Sequence, residues 1–234
     1  MNTQPSAASL APTALINSDH PDVIAFARQH AQGANDRERA AALYLAVRDQ
    51  FRYDPYRIDL TATCQPRREP EIVFGMKTTP PANASLQQLF EAIDWIAPGF
   101  EVVQSHCLDW KFTATDTMAD SGLHARLLVG QRLPVQQLAA DAQALHTLLA
   151  QAQVTLFKNG QAVEQGNGTN VLDSPLNALH HFLKELRQCP GAVDLQAGDV
   201  VTTGTWTDAW PLQVGENWRA EFSAPLGSLS ARMC

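Results

Sequence analysis

The stretch Arg67-Arg68-Glu69-Pro70-Glu71-Ile72-Val73-Phe74 sets two acidic residues, two positions apart, at the head of an apolar run. If the stretch is a strand, Glu69 and Glu71 point to one face, about 6–7 Å apart along the chain, because side chains alternate across the pleat. A second apolar run, Phe100-Glu101-Val102-Val103, carries a third carboxylate. Three converging carboxylates are too negative to be buried unless a cation or protons neutralise them. Ligands that are all oxygen favour Mg²⁺, Mn²⁺ or Ca²⁺ over zinc. The competing reading is a solvated strand end, salt-bridged to Arg67 and Arg68.

Composition narrows the setting. With 234 residues, 45% of them hydrophobic and 18% charged, the chain has material for one large domain or a domain with a small appendage. A net charge of −7 with scattered basic residues argues against nucleic acid and anionic membranes as partners. Cys64, Cys107, Cys189 and Cys234 show neither CxxC nor CxxH spacing, which predicts free thiols in a reducing compartment. Residues 1–16 lack the basic and long apolar regions of a signal peptide, and no apolar run is long enough to span a bilayer. A soluble cytoplasmic protein is the expectation.

Residues 1–17 read as a loose tail. Ser18-Asp19-His20-Pro21 and Asn35-Asp36-Arg37-Glu38 offer caps for two helices in antiparallel contact, ended by Phe51–Arg57. From Gln65 the chain turns to short apolar runs broken by Pro and Gly. Glu69–Met76 is the first predicted strand. Ser85-Leu86-Gln87-Gln88 is a capping box for a helix carrying Leu86, Leu89, Phe90 and Ile93, which Pro98-Gly99 ends, and Phe100–Gln104 is the second strand. His124–Val129 reads as a strand and 135–150 as a loop with a helical stretch. Asn159-Gly160 is a hairpin turn between Val154–Lys158 and Gln161–Glu164, and Ser174-Pro175 caps another helix. Asp199–Thr203, Trp218–Phe222 and Ser228–Met233 are late strands. The pattern is α+β with strands dominating.

Two resemblances follow from these motifs. His20-Pro21, Arg37-Glu38-Arg39-Ala40 and Ala46-Val47-Arg48-Asp49 with Arg52-Tyr53-Asp54-Pro55-Tyr56 make residues 18–62 similar to the helical start of bacterial transglutaminase-like proteins. Cys64, followed by Gln65-Pro66, lacks that family's nucleophile context, so its chemistry is not carried over. Residues 65–234 resemble the fumarylacetoacetate hydrolase superfamily, in its 2-keto-4-pentenoate hydratase and 2-oxo-acid decarboxylase branch. The ordered motifs are Glu69-Pro70-Glu71-Ile72, Ala97-Pro98-Gly99-Phe100-Glu101-Val102-Val103, Asp109-Trp110-Lys111, Asp116-Thr117-Met118-Ala119-Asp120, Ser174-Pro175-Leu176-Asn177-Ala178 and Gly198–Thr205.

This second resemblance implies a mixed β-roll or β-sandwich catalytic domain and a metal site, Mg²⁺ or Mn²⁺, on Glu69, Glu71 and Glu101. It implies a Lewis-acid hydratase acting on small 2-oxo or 2-hydroxydienoate acids from aromatic-compound breakdown. A 2-oxo diacid decarboxylase and an acylpyruvate hydrolase are the alternatives, and a homo-oligomer is expected. Thr203, Gly204 and Thr205 resemble the loop that seats the substrate carboxylate, or else are an ordinary strand exit. Lys111 is a candidate for positive charge beside the substrate, or an ion-paired or snorkelling lysine. Asp116 and Asp120 are candidates for positioning water or moving a proton, or else helix caps. His106 and Cys107, read as strand neighbours, point to opposite faces and form no joint site, and His180-His181 is a partly exposed helical pair. The hydratase branch carries a lysine-bearing segment before its first metal strand, and residues 1–64 hold no matching motif. From another class comes the reading of a non-catalytic remnant or binding module.

Overall fold

The computed structural model describes residues 19–50 and 65–234, which fall into two compact units, one within 1–54 and one within 55–234. The tail at 1–17, the helix exit at 51–57 and Cys64 lie outside the described residues. The smaller unit holds α1 (Pro21–His30) and α2 (Asp36–Gln50), which touch each other. His20 caps α1, its Nδ1 accepting the Asp22 N–H at 3.3 Å, with Pro21 in the first turn. At α2, Asn35 accepts the Glu38 N–H and Glu38 reaches back to the N–H of Ala34, one residue before the cap.

The larger unit runs β1 (Arg67–Met76), α3 (Leu86–Ala92), β2 (Ile93–Val103), α4 (Ala114–Ala119), β3 (His124–Val129), β4 (Leu133–Pro134), α5 (Val135–Leu138), α6 (Ala142–Gln151), β5 (Gln153–Lys158), β6 (Gln161–Asn167), α7 (Pro175–Gln188), β7 (Val200–Thr202), β8 (Trp210–Pro211), β9 (Asn217–Phe222) and β10 (Gly227–Arg232). One antiparallel sheet has the order β3-β2-β1-β7, with β4 also on β2 and β8 also on β1, and a second has the order β10-β9-β5-β6. Ile72 and Phe74 on one face of β1 join Leu89 and Phe90 of α3, Leu145 of α6, Leu179 and Leu183 of α7, and Leu156 and Trp218 of the second sheet in a single core. Each such side chain, fully buried, contributes about 1.5–3 kcal/mol. The α+β architecture with antiparallel sheets is the expected one, and the capping boxes of α3 and α4 and the Ser174 cap of α7 form as the sequence requires.

The boundary between α3 and β2 differs most from the expected one. α3 stops at Ala92, and β2 passes straight through Pro98 and Gly99 instead of beginning at Phe100. The proline is tolerated because of what it faces. A strand residue's amide and carbonyl point to the same neighbour, and the Pro98 carbonyl accepts the Gly130 N–H at 2.8 Å. Its missing N–H therefore falls between β3, which reaches Val129 opposite Gly99, and β4, which starts at Leu133 opposite Ile96. Pro70 repeats the arrangement on β1. Its carbonyl accepts the Trp206 N–H at 3.1 Å, in the gap between β8 opposite Arg67-Arg68 and β7 opposite Val73–Gly75.

Candidate metal centre

The strand register assembles the site. β1 and β2 pair with Glu69 directly opposite Glu101 and Glu71 opposite Gly99, all on the face of the sheet turned away from Ile72 and Phe74. One carboxylate oxygen from each of Glu69, Glu71 and Glu101 lies within 4.8 Å of the others. Like charges directly opposite one another destabilise a sheet, so the pair at 69 and 101 needs compensation. The solvated alternative fails on geometry. Arg68 is on the other face, buried with its guanidinium 3.8 Å from the Phe100 ring centroid, and Arg67 stacks 4.3 Å over Trp110. Among the described residues, neither arginine forms an ion pair with the glutamates.

Glu71 is wholly buried. Its Oε2 accepts the backbone N–H groups of Gly204 and Thr203 at 2.8 and 3.1 Å, whereas its Oε1 is buried with no hydrogen-bond partner. The two N–H donors favour a charged carboxylate, but burial and the nearby Glu101 outweigh them and push the Glu71 pKa up to about 8. Burial first and Glu101 second raise Glu69 to about 7. Glu101 is also held by His124, whose Nδ1 lies 2.6 Å from its Oε1. An orphaned buried oxygen, three convergent acceptors and carboxyls that resist ionisation are what a hard divalent cation would relieve, and the donor set fits Mg²⁺ or Mn²⁺.

Gly99 keeps this face open. A Cβ there would meet Val73 Cγ2 at 2.4 Å and the Leu128 carbonyl oxygen at 3.2 Å. Gly99→Ala is expected to lower stability by about 1–3 kcal/mol through overpacking, read as a fall in Tm. An unchanged Tm would show that Val73 yields freely.

The other predicted residues fall into two groups. Thr203 and Gly204 lie in the segment after β7, in the gap between β7 and β8 alongside β1, and the carboxyl group their N–H groups hold is that of Glu71. Gly204 has φ +108°, a conformation open to glycine and strained for other residues. The Thr203 hydroxyl is buried without a partner, and the Thr205 hydroxyl is engaged with both backbone groups of Thr207. Lys111, Asp116 and Asp120 belong to the long loop between β2 and β3, closed at its neck by the Gln104 N–H on the Leu123 carbonyl at 2.8 Å. Lys111 is exposed and, among the described residues, has no ion-pair partner. Asp116 completes the α4 capping box with Thr113, and those hydrogen bonds hold its pKa below the usual range.

Asp120 binds His106, Oδ1 to Nδ1 at 2.6 Å and Oδ2 to the His106 N–H at 3.1 Å, which pins the two sides of the loop together. His106 and Cys107 therefore lie beyond the end of β2, in the loop, and not on a strand as the sequence suggests. Asp109, Trp110, Ser121 and Leu123 hold positive φ, between 53° and 66°. Such non-glycine conformations are costly and persist only where surrounding contacts enforce them. His124 is the residue that sequence reasoning misses. No motif marks it, and only the register of β3 on β2 brings it to Glu101.

A cavity of about 450 Å³ adjoins the site and is walled by residues of β3, α7 and β7, including His124 and Thr202. A larger hollow, about 770 Å³, lies around α6 and Pro225, where its carboxylate, Asp141, caps α6.

Two antiparallel sheets around one core, with a carboxylate cradle on the outer face of the first, define the class of protein. The chain belongs to the fumarylacetoacetate hydrolase family, since residues 24–233 match the family described as Fumarylacetoacetate (FAA) hydrolase C-terminal. The match opens inside α1. A 2-hydroxyhexa-2,4-dienoate hydratase of Comamonas testosteroni is 30% identical over 157 residues, covering 66% of this chain and 55% of that protein. A 4-oxalocrotonate decarboxylase of a Pseudomonas species is 30% identical over 176 residues, covering 74% and 62%. Among solved structures, 4-oxalocrotonate decarboxylase from Pseudomonas putida G7, complexed with magnesium and adipate, superposes with a TM-score of 0.67 at 28% identity, covering 77% of this chain and 65% of that one. The chain thus spans less than two thirds of the length of each of these relatives, all of which are named as enzymes. Among the described residues, no helix is long and apolar enough to cross a membrane.

Proposed function

We propose that the chain is a divalent-metal-dependent hydratase that adds water to 2-hydroxypenta-2,4-dienoate-type acids, products of aromatic-ring breakdown. The observation that carries this is the cradle of Glu69, Glu71 and Glu101, with the Glu71 Oε1 orphaned in a buried, acid-rich setting. Mg²⁺ or Mn²⁺ held there would supply Lewis-acid polarisation of a 2-oxo acid. The protein's own part is to hold Glu71 rigid through the Thr203 and Gly204 amides and to orient Glu101 through His124. Thr203 and Thr205 flank the glycine that lets the backbone approach an anion. Lys111 brings positive charge to the loop, and Asp116 and Asp120 position water or move a proton, Asp116 from the start of α4 and Asp120 from its contact with His106. Residues 65–234 form the catalytic domain in this reading, with the helices of 18–62 as a separate segment.

The names of the hydratase relatives support the reaction type. Decarboxylation of a 2-oxo diacid is the second reading, favoured by the decarboxylase likeness. The test is loss of dienoate absorbance by the purified protein with Mg²⁺ or Mn²⁺. Turnover is expected to vanish with a chelator and return with either ion; turnover that persists without metal overturns the proposal.

A further inference from the structure

From the wall of the cavity beside the cradle, and resting on the 2-oxo-acid reading above, we infer that the site selects monocarboxylic 2-oxo acids with an apolar tail over dicarboxylic ones. The register ties this cavity to the carboxylates. Leu127 lies opposite Glu101, Val200 opposite Gly75 and Thr202 opposite Val73, so all three project on the face that bears Glu69 and Glu71. A substrate whose 2-oxo-carboxylate end sits at the cradle has this cavity for its far end.

The wall is apolar where that far end would rest. Leu127, Leu195, Phe182 and Val200 line it, and the last two are each 42% exposed, leaving apolar surface that a hydrocarbon tail would cover. Covering such surface gains about 25 cal/mol per Å². Among the described residues no lysine or arginine lines the cavity. His124 has its Nδ1 committed to Glu101. The acidic member of the wall is Asp199, whose Oδ2 is fixed by the Gln196 N–H at 2.7 Å. A distal carboxylate would stand beside a like charge with, among the described residues of the wall, no lysine or arginine to pair it, which disfavours it. A methyl or vinyl end meets no such penalty.

The experiment compares 2-oxohexanoate with 2-oxoadipate, which match in chain length and differ in the distal carboxylate. Calorimetric binding of each to the Mg²⁺-loaded protein, with a separate Mg²⁺ titration, is read for wild type, Asp199→Asn and Val200→Arg. Wild type is expected to bind 2-oxohexanoate at least about tenfold more tightly, and Val200→Arg, at an exposed edge-strand position, to shift the ratio at least about tenfold toward 2-oxoadipate. Asp199→Asn keeps an acceptor for Gln196 and is expected to shift the ratio the same way by a smaller factor. Equal or tighter binding of 2-oxoadipate by wild type overturns the preference and leaves the 2-oxo-acid reading standing. Mg²⁺ binding with binding of neither acid removes that reading, and the preference falls with it.

Discussion

Glu71→Gln is expected to cut metal-dependent turnover of the dienoate by more than about 100-fold while raising the Tm of the metal-free protein near pH 8. Removing a group that merely supports a metal ligand already costs about 10–100-fold in affinity or activity, so loss of the ligand charge costs more. Glutamine keeps the shape of Glu71 and a carbonyl oxygen for the Thr203 and Gly204 amides. What it removes is a buried carboxyl pushed up to about 8 by burial and by Glu101. The two effects have opposite signs, which separates a residue kept for binding from one kept for folding. Thermal melts and the absorbance assay on the same preparation measure both. A variant as active as wild type, or one with a lower metal-free Tm, would contradict the assignment.

The second large effect is on pH. Glu69 and Glu71 have folded-state pKa values of about 7 and about 8, well above those of an unfolded glutamate, near 4.3. Between these limits the folded chain holds protons that the unfolded chain has released, so their contribution is fully present below about pH 4.3 and is lost as pH rises through 7 and 8. The metal-free protein is therefore expected to lose on the order of 6 kcal/mol between pH 5 and 8.5, roughly 20 °C in Tm for a domain of this size. Asp116, Asp194 and Glu216 are shifted the other way, and their contribution is lost as pH falls below the ordinary carboxylate range, outside this window. Saturating Mn²⁺ is expected to remove the alkaline loss, because an ion that binds the deprotonated carboxylates of the folded state alone stabilises it. Calorimetric melts across this range, with and without Mn²⁺, check the sign; a metal-free profile flat or rising toward pH 8.5 would contradict it.

Much of the cradle is legible in the sequence because a strand has an integer period. Glu69 and Glu71 share a face whatever the rest of the chain does, and Glu101 stands in an apolar run that has to be structured. That Glu69 faces Glu101 is fixed by the pairing of distant strands, which no local pattern encodes. His124 is further hidden, since the register of β3 on β2 slips between Val102 and Val103 just where it joins the sheet. Pro98-Gly99 misleads as a helix stop, because proline also fits a strand wherever its missing N–H meets a gap in the ladder. The segment at Thr203 and Gly204 reads in the sequence as a loop that seats a substrate carboxylate, and in the structure its amides hold the carboxyl group of Glu71.

Whether Glu69, Glu71 and Glu101 form one divalent-cation site is decided by titrating the metal-free protein with Mn²⁺ at pH 7 in two buffers of different ionisation enthalpy. One ion per chain is expected to bind with release of about one to two protons, because two of its ligands are substantially protonated beforehand. Absence of binding, or binding that releases no protons and survives Glu71→Gln unchanged, would contradict the account.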